Sequence, residues 1–184
     1  MVPSRVSLLN PSPGRLVEDM GAKSVSFFCR ERPVRVDRAL IEELKQVSAA
    51  RQGRNVRLCL HDGPAADHHD MIILERQGRY YRPHRHAGKG ECFHVIEGVL
   101  GVAIFEADGT LAEAARLGAG DIFRVGADMY HAVMPLSDPV IYHENKPGPF
   151  TGEGDSQWAP WAPDGSDAAA LDTYVAGLAR AFEG

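Results

Sequence analysis

Apolar positions along the chain follow two kinds of pattern. Leu40, Ile41, Leu44 and Val47 recur at the i, i+1, i+4, i+7 spacing of one helix face, and Glu42, Glu43, Lys45 and Gln46 are read as the solvent face. Asp37 is placed to cap this helix, which is expected to run to about Arg51 and stop at Gln52-Gly53. Ahead of it, Val25–Cys29 reads as a short strand. From Arg54 to about Pro147 the apolar runs shorten and are separated by Gly, Asp and Pro. They predict strands at 56–60, 71–76, 79–86, 92–97, 99–106, 110–116, 121–125, 131–136 and 140–145, with a hairpin turn at Ala107-Asp-Gly-Thr110. Such a series predicts an antiparallel sandwich, jelly roll or barrel.

Beyond Lys146 the chain is rich in Pro, Gly and Trp. Trp158 and Trp161 should not both be left in solvent, so 151–165 is expected to form an ordered strap across the sheets. Ser166 or Asp167 then caps a last helix with Leu171, Tyr174, Val175, Leu178 and Phe182 as its apolar stripe. The reading is one domain over 1–184: an N-terminal strand and helix (1–52), a β barrel (53–150), and a strap with a C-terminal helix (151–184).

Composition narrows the function classes. With 184 residues and a net charge of -5, the chain has no general electrostatic grip on nucleic acid, and neither helix belongs to a close helix-turn-helix pair. No apolar run approaches the ~18 residues that cross a bilayer. Three cysteines without CxxC spacing, and no apolar stretch behind Met1–Arg5, lead to an expected cytoplasmic location without disulfides. No nucleophile elbow or phosphate-binding P-loop is present.

Histidine changes the picture most, since six of the eight fall between His61 and His94. His84 and His86 are two apart on an expected strand, so both point to one face and can share a metal ion. Glu91 opens the next strand and offers a carboxylate. His131 lies far along the chain, where a barrel can bring it back to the same point. If His84 and His86 face inward, so do Tyr80 and Arg82, whereas Tyr81 faces outward. Arg82 then needs either a protein acid such as Glu144 or a bound anion. Met129 is expected inside and Tyr130 at the mouth. Cys92 reads as a packing residue and His94 as outward. His61, His68 and His69 read as solvated loop histidines, and the facing of His143 is open.

The spacing Gly78-x5-His84-x-His86-x4-Glu91-x6-Gly98 resembles the first cupin motif at every fixed position. Gly120-x5-Gly126-x-Asp128-x2-His131 resembles the second, with Gly126 and Asp128 where the family usually has Pro and Gly. The resemblance implies a cupin double-stranded β-helix, an all-β jelly-roll barrel with both helices packed outside. It implies one divalent metal, Fe, Mn, Ni or Zn, held inside by His84, His86, Glu91 and His131. Arg82-Pro-His-Arg-His86, Phe93-His-Val-Ile-Glu-Gly98, Lys146-Pro-Gly-Pro-Phe150 and Trp158-Ala-Pro-Trp161-Ala-Pro163 further resemble the WbuC family of cupin-fold metalloproteins, associated with bacterial surface-polysaccharide gene clusters. Asp70 stands where that family would have Arg.

These readings lead to an enzyme acting on a small oxygenated, sugar-like or anionic molecule, by isomerase or lyase chemistry. The alternatives are an Fe-dependent dioxygenase and a non-catalytic metal or sugar sensor. The expected partners are a small-molecule ligand and a second copy of the chain, with Val25–Cys29 covering an open sheet edge in a homodimer.

Overall fold

Asp37 caps the first helix as its position predicts, its side chain accepting from the Leu40 N–H. The computed structural model describes residues 6–30 and 32–183; Met1–Arg5, read above for a leader, lie outside them. In chain order the elements are β1 (Leu16–Glu18), β2 (Val25–Cys29), α1 (Arg38–Ala50), β3 (Val56–Cys59), β4 (His68–Glu75), β5 (His84–Arg85), β6 (Glu91–Glu97), β7 (Leu100–Phe105), β8 (Leu111–Leu117), β9 (Ile122–Val125), β10 (Tyr130–Pro135), β11 (Val140–Pro147), a 3-10 turn (Gly152–Asp155), β12 (Gln157–Trp158) and α2 (Ala168–Arg180). One sheet has the order β1-β2-β3-β4-β11-β6-β9 and the other β12-β5-β10-β7-β8. The two face each other as a jelly roll, and a helix covers the outside of each.

Strand alternation explains this four-layer build. On β10, His131 and Val133 point between the sheets, whereas Tyr130, Ala132 and Met134 point outward beneath α2. Phe182 packs on this outer face where Gly101 leaves room, since a Cβ there would lie 2.8 Å from the ring. On the opposite sheet, Val56, Leu58, Ile72, Leu74 and Ile141 form a core with Leu40, Ile41, Leu44 and Val47 of α1. Each of these helix side chains contributes about 1.5–3 kcal/mol on burial.

Three sequence expectations change. Val25–Cys29 is not a free edge: it pairs antiparallel with β1 and parallel with β3, with α1 as the crossover between β2 and β3. The strand expected over 79–86 is reduced to His84–Arg85, because Pro83 has no N–H to donate to a ladder. Glu43 does not face solvent. It lies one helical turn from Leu40, is 8% exposed, and its Oε2 accepts from the Leu8 N–H at 2.6 Å and the Leu9 N–H at 3.4 Å.

Glu43 therefore ties the N-terminal segment to α1. Glu43→Ala leaves the buried Leu8 N–H without this acceptor and is expected to cost about 1–3 kcal/mol. Glu43→Gln, which keeps an acceptor oxygen, should recover most of that loss when both are compared by thermal unfolding.

Candidate metal centre

His84 and His131 sit directly opposite each other on β5 and β10, so their imidazoles meet on the inner face of one sheet. Their ring centroids are 4.6 Å apart. Glu91 enters from β6 in the other sheet, and His86 from the loop just beyond β5. That loop is pressed against the end of β9: a Cβ on Gly90 would lie 2.7 Å from the Val125 carbonyl oxygen. The loop is also held by the turn before β10. The Asp128 N–H donates to the His86 carbonyl, and Asp128 Oδ1 accepts from the Gly88 N–H, each at 3.2 Å. Asp128 has φ +62°, the left-handed region where the motif usually has glycine, and Asp is one of the few other residues to visit it. The departure from the motif thus keeps its turn.

One ligand atom from each of His84, His86, Glu91 and His131 falls within 4.8 Å of the others. The tautomers follow from the carbonyls around them. His84 Nδ1 lies 3.1 Å from the Arg82 carbonyl, His86 Nδ1 2.6 Å from the Asp155 carbonyl, and His131 Nδ1 2.9 Å from the Met129 carbonyl. A carbonyl can only accept, so each Nδ1 carries the proton and each Nε2 presents a lone pair to the centre. His131 Nε2 faces Glu91 Oε1 at 2.5 Å without hydrogen-bonding geometry, and His86 Nε2 faces Glu91 Oε2 at 3.4 Å. The Lys146 ammonium is one cation among these groups, donating to His86 Nε2 at 3.4 Å and lying near Glu91. The donor set fits a divalent metal, with two positions left open if it is six-coordinate.

Burial and neighbouring charge shift these groups in different directions. Burial, reinforced by His131, pushes His84 down to about 4, so its ring is neutral near pH 7. Burial would also depress His131, but the Glu91 carboxylate outweighs it and holds His131 above its ordinary value. Glu91 is held well below the carboxylate range: burial opposes this and the two histidines overcome it. Lys146 Nζ lies 3.6 Å from Glu91 Oε2 and 3.4 Å from Glu144 Oε1.

The centre forms one wall of a cavity of about 610 Å³ between the sheets. Tyr80 and Arg82 line it. The Tyr80 hydroxyl donates to the Pro163 carbonyl at 2.9 Å, and Arg82 Nη2 donates to the Ala159 carbonyl at 2.9 Å. The partner of Arg82 is therefore the strap backbone, not Glu144, and its buried Nε has no hydrogen-bond partner. Met129 and Tyr130 lie outside the cavity lining. Met129 is 42% exposed, and Tyr130 is on the outer face against Trp161 and under the Arg85 guanidinium. Tyr81, expected outside, lines the cavity because residues 79–83 are not a strand and do not alternate. The strap divides its tryptophans: Trp161 packs on Phe105 and Tyr130, whereas Trp158 stays 52% exposed with its ring edge toward His84.

Other histidines fall into place around the site. His69 is buried within β4 and stacks on His61 with ring centroids 4.2 Å apart; only His68 of that trio is exposed. His94 and His143 are half-buried neighbours on the outer sheet face, and His143 Nε2 lies 3.2 Å from Asp70 Oδ1. Cys92 is half-buried and points away from Glu91, as alternation predicts. The sequence reading missed Glu75, Lys146 and Arg57 as cavity residues. Period-two counting from the inward Ile73 on β4, and pairing of Arg57 with Ile73, is the signal that would have found the first and last.

The architecture and both motifs can now be set beside known proteins. The fold is a two-sheet jelly roll, and both histidine motifs resemble those of cupins. A family model described as a domain of unknown function, DUF6016, matches residues 36–117, less than half of the chain. No curated protein matches the sequence. Among solved structures, KdgF from Halomonas sp. is 19% identical over 50% of this chain and 77% of its own, with TM-score 0.43. Oxalate decarboxylase from Bacillus subtilis is 15% identical over 57% of this chain and 27% of its own, with TM-score 0.46. A cupin-2 domain containing protein from Shewanella frigidimarina is 22% identical over 45% of this chain and 72% of its own, with TM-score 0.38. Thus this chain spans about a quarter of the oxalate decarboxylase. Among the described residues, no helix is long and apolar enough to cross a membrane.

Glu75 gives the site region a measurable pH signature. Burial, with Glu144 adding to it, pushes its carboxyl up to about 7; the Tyr81 and Tyr142 hydroxyls and Arg57 oppose the shift. Between its ordinary 4.5 and about 7 the folded protein holds a proton that the unfolded chain has released. Stability from this group therefore falls as pH rises through that window and stays low above it. Glu75→Gln removes the ionisation and should raise stability at pH 8 by roughly 2–4 kcal/mol. The gain should shrink toward pH 5 in denaturant titrations.

Proposed function

We propose that the protein is a metal-dependent enzyme acting on a small, anionic, oxygenated molecule of sugar-like size. The observation that carries this reading is the donor set itself. Three imidazoles, each fixed by a backbone carbonyl, and one carboxylate converge on the wall of a cavity large enough for such a ligand. A divalent metal bound there supplies Lewis-acid polarisation of a carbonyl or hydroxyl oxygen. The chain's own residues do the rest. Arg82 brings a guanidinium to the cavity wall, Lys146 places positive charge beside the centre, and Trp158 narrows the opening. The WbuC-like segments support a place in bacterial surface-polysaccharide biosynthesis.

Elemental analysis of protein purified without added metal is the first test, with one Fe, Mn, Ni or Zn per chain expected. His84→Ala with His86→Ala should abolish stoichiometric metal. Full metal content in that double variant would place the metal elsewhere. Turnover of sugar acids or sugar nucleotides by the loaded protein supports the enzyme reading, and binding without turnover supports a sensor.

Arg82 discriminates further. Lys cannot present the planar guanidinium fork, so Arg82→Lys should keep metal and weaken anionic ligands about tenfold or more. A variant with a lower melting temperature and unchanged ligand affinity would make Arg82 a strap anchor only.

A further inference from the structure

The cavity has a second polar pole away from the metal ligands. Arg57 projects from β3 on the inner face, abreast of Ile73, and lines the cavity. It is partly buried, yet its contacts are weak: Nη2 to Ser24 Oγ at 3.4 Å and Nη1 to Met71 Sδ at 4.0 Å. Among the described residues it makes no ion pair. Glu75 lies on the same wall, 6% exposed, and its buried Oε2 has no hydrogen-bond partner. Asn55 Nδ2 donates to the Tyr81 hydroxyl at 2.8 Å, which fixes that phenol at the same end. A half-buried guanidinium with no ion-pair contact, near a carboxyl whose Oε2 lacks a hydrogen bond, leaves both with capacity for a ligand.

We propose that Arg57 and Glu75 form an anion-recognising subsite, so that the ligand is bifunctional, with oxygen donors at the metal end and a phosphate or carboxylate at the Arg57 end. The guanidinium takes two anion oxygens in its fork. Below about pH 7, where burial favours its protonated form, Glu75 donates to a third or to a neighbouring hydroxyl. Arg57 is abreast of Ile73, and Lys146, beside Glu91, is abreast of His69. Four residues of strand separate these two levels, roughly 13 Å. With both side chains reaching into a cavity of about 610 Å³, a sugar phosphate or sugar acid has room between the two poles, whereas a two-carbon acid is too short to engage both. Lys23, Arg54 and Arg79 at the rim add positive charge along the approach.

The inference rests on the enzyme reading for its metal end, but its test does not. Inorganic phosphate, glucose 6-phosphate, galacturonate and neutral glucose are titrated calorimetrically into the full-length protein, its Arg57→Gln, Glu75→Gln and Glu75→Leu variants, and the His84→Ala/His86→Ala double variant. Arg57→Gln should weaken the charged probes about tenfold or more and leave glucose and metal content unchanged. Glu75→Gln, an isostere of the protonated acid, should retain binding, and Glu75→Leu should lose it. Phosphate should still bind the double variant, which separates this subsite from the metal centre. Stronger loss for glucose 6-phosphate identifies a phosphate head, and stronger loss for galacturonate a carboxylate. Charged-probe affinities unchanged in Arg57→Gln, or no binding of any charged probe to the unaltered protein, would overturn the subsite. Missing metal in the unaltered protein would overturn the enzyme reading alone.

Discussion

Everything about the site depends on three hydrogen bonds from imidazole Nδ1–H groups to backbone carbonyls. They come from three different places in the chain: Arg82 just before β5, Met129 just before β10, and Asp155 in the 3-10 turn. Each removes the freedom of a ring to flip and forces its Nε2 lone pair toward Glu91. A side-chain partner would be able to rotate away or change protonation, whereas a carbonyl in a packed backbone cannot. The site is thus set by main-chain geometry, and the strands need only bring the four side chains to the same level.

That arrangement asks the fold to tolerate a polar interior. Arg57, Glu75, Glu144 and Lys146 share the inner faces with an apolar cluster around Phe93, Val95, Leu100, Val102 and Tyr142. Two further apolar layers offset the cost, one between the larger sheet and α1 and one between the smaller sheet and α2. Each sheet therefore buries part of both of its faces. The inner space can hold charge because much of the hydrophobic stabilisation lies outside it.

Much of this was legible in the sequence, and the reasons for the rest are physical. The capped helices and most barrel strands follow directly from periodicity and turn residues. So does the grouping of His84, His86, Glu91 and His131, whose motif spacing encodes where strands begin and turns fall. Alternation misplaced Tyr81 because it assumes a strand, and Pro83 had ended one. Met129 was placed inside by alternation from His131 and Tyr130 at the mouth; the first precedes the strand and the second lies on its opposite face. Glu43 was misread because residue type was given more weight than helical position. Glu75 and Arg57 needed cross-strand register, which depends on pairings between segments distant in sequence.

The strap gives the site an order in time. His84, His86, Glu91 and His131 have all been synthesised by residue 131. The carbonyl that orients His86 is at 155, the one that receives Arg82 at 159, and the one that receives Tyr80 at 163. A ribosome extends the chain from the N-terminus and shields its most recent residues, so the barrel can gather its ligands while their last orienting group is still in the exit tunnel. A chain cut short after β11 would carry every ligand and lack part of their alignment. Full orientation of the centre therefore requires the strap as well as the barrel.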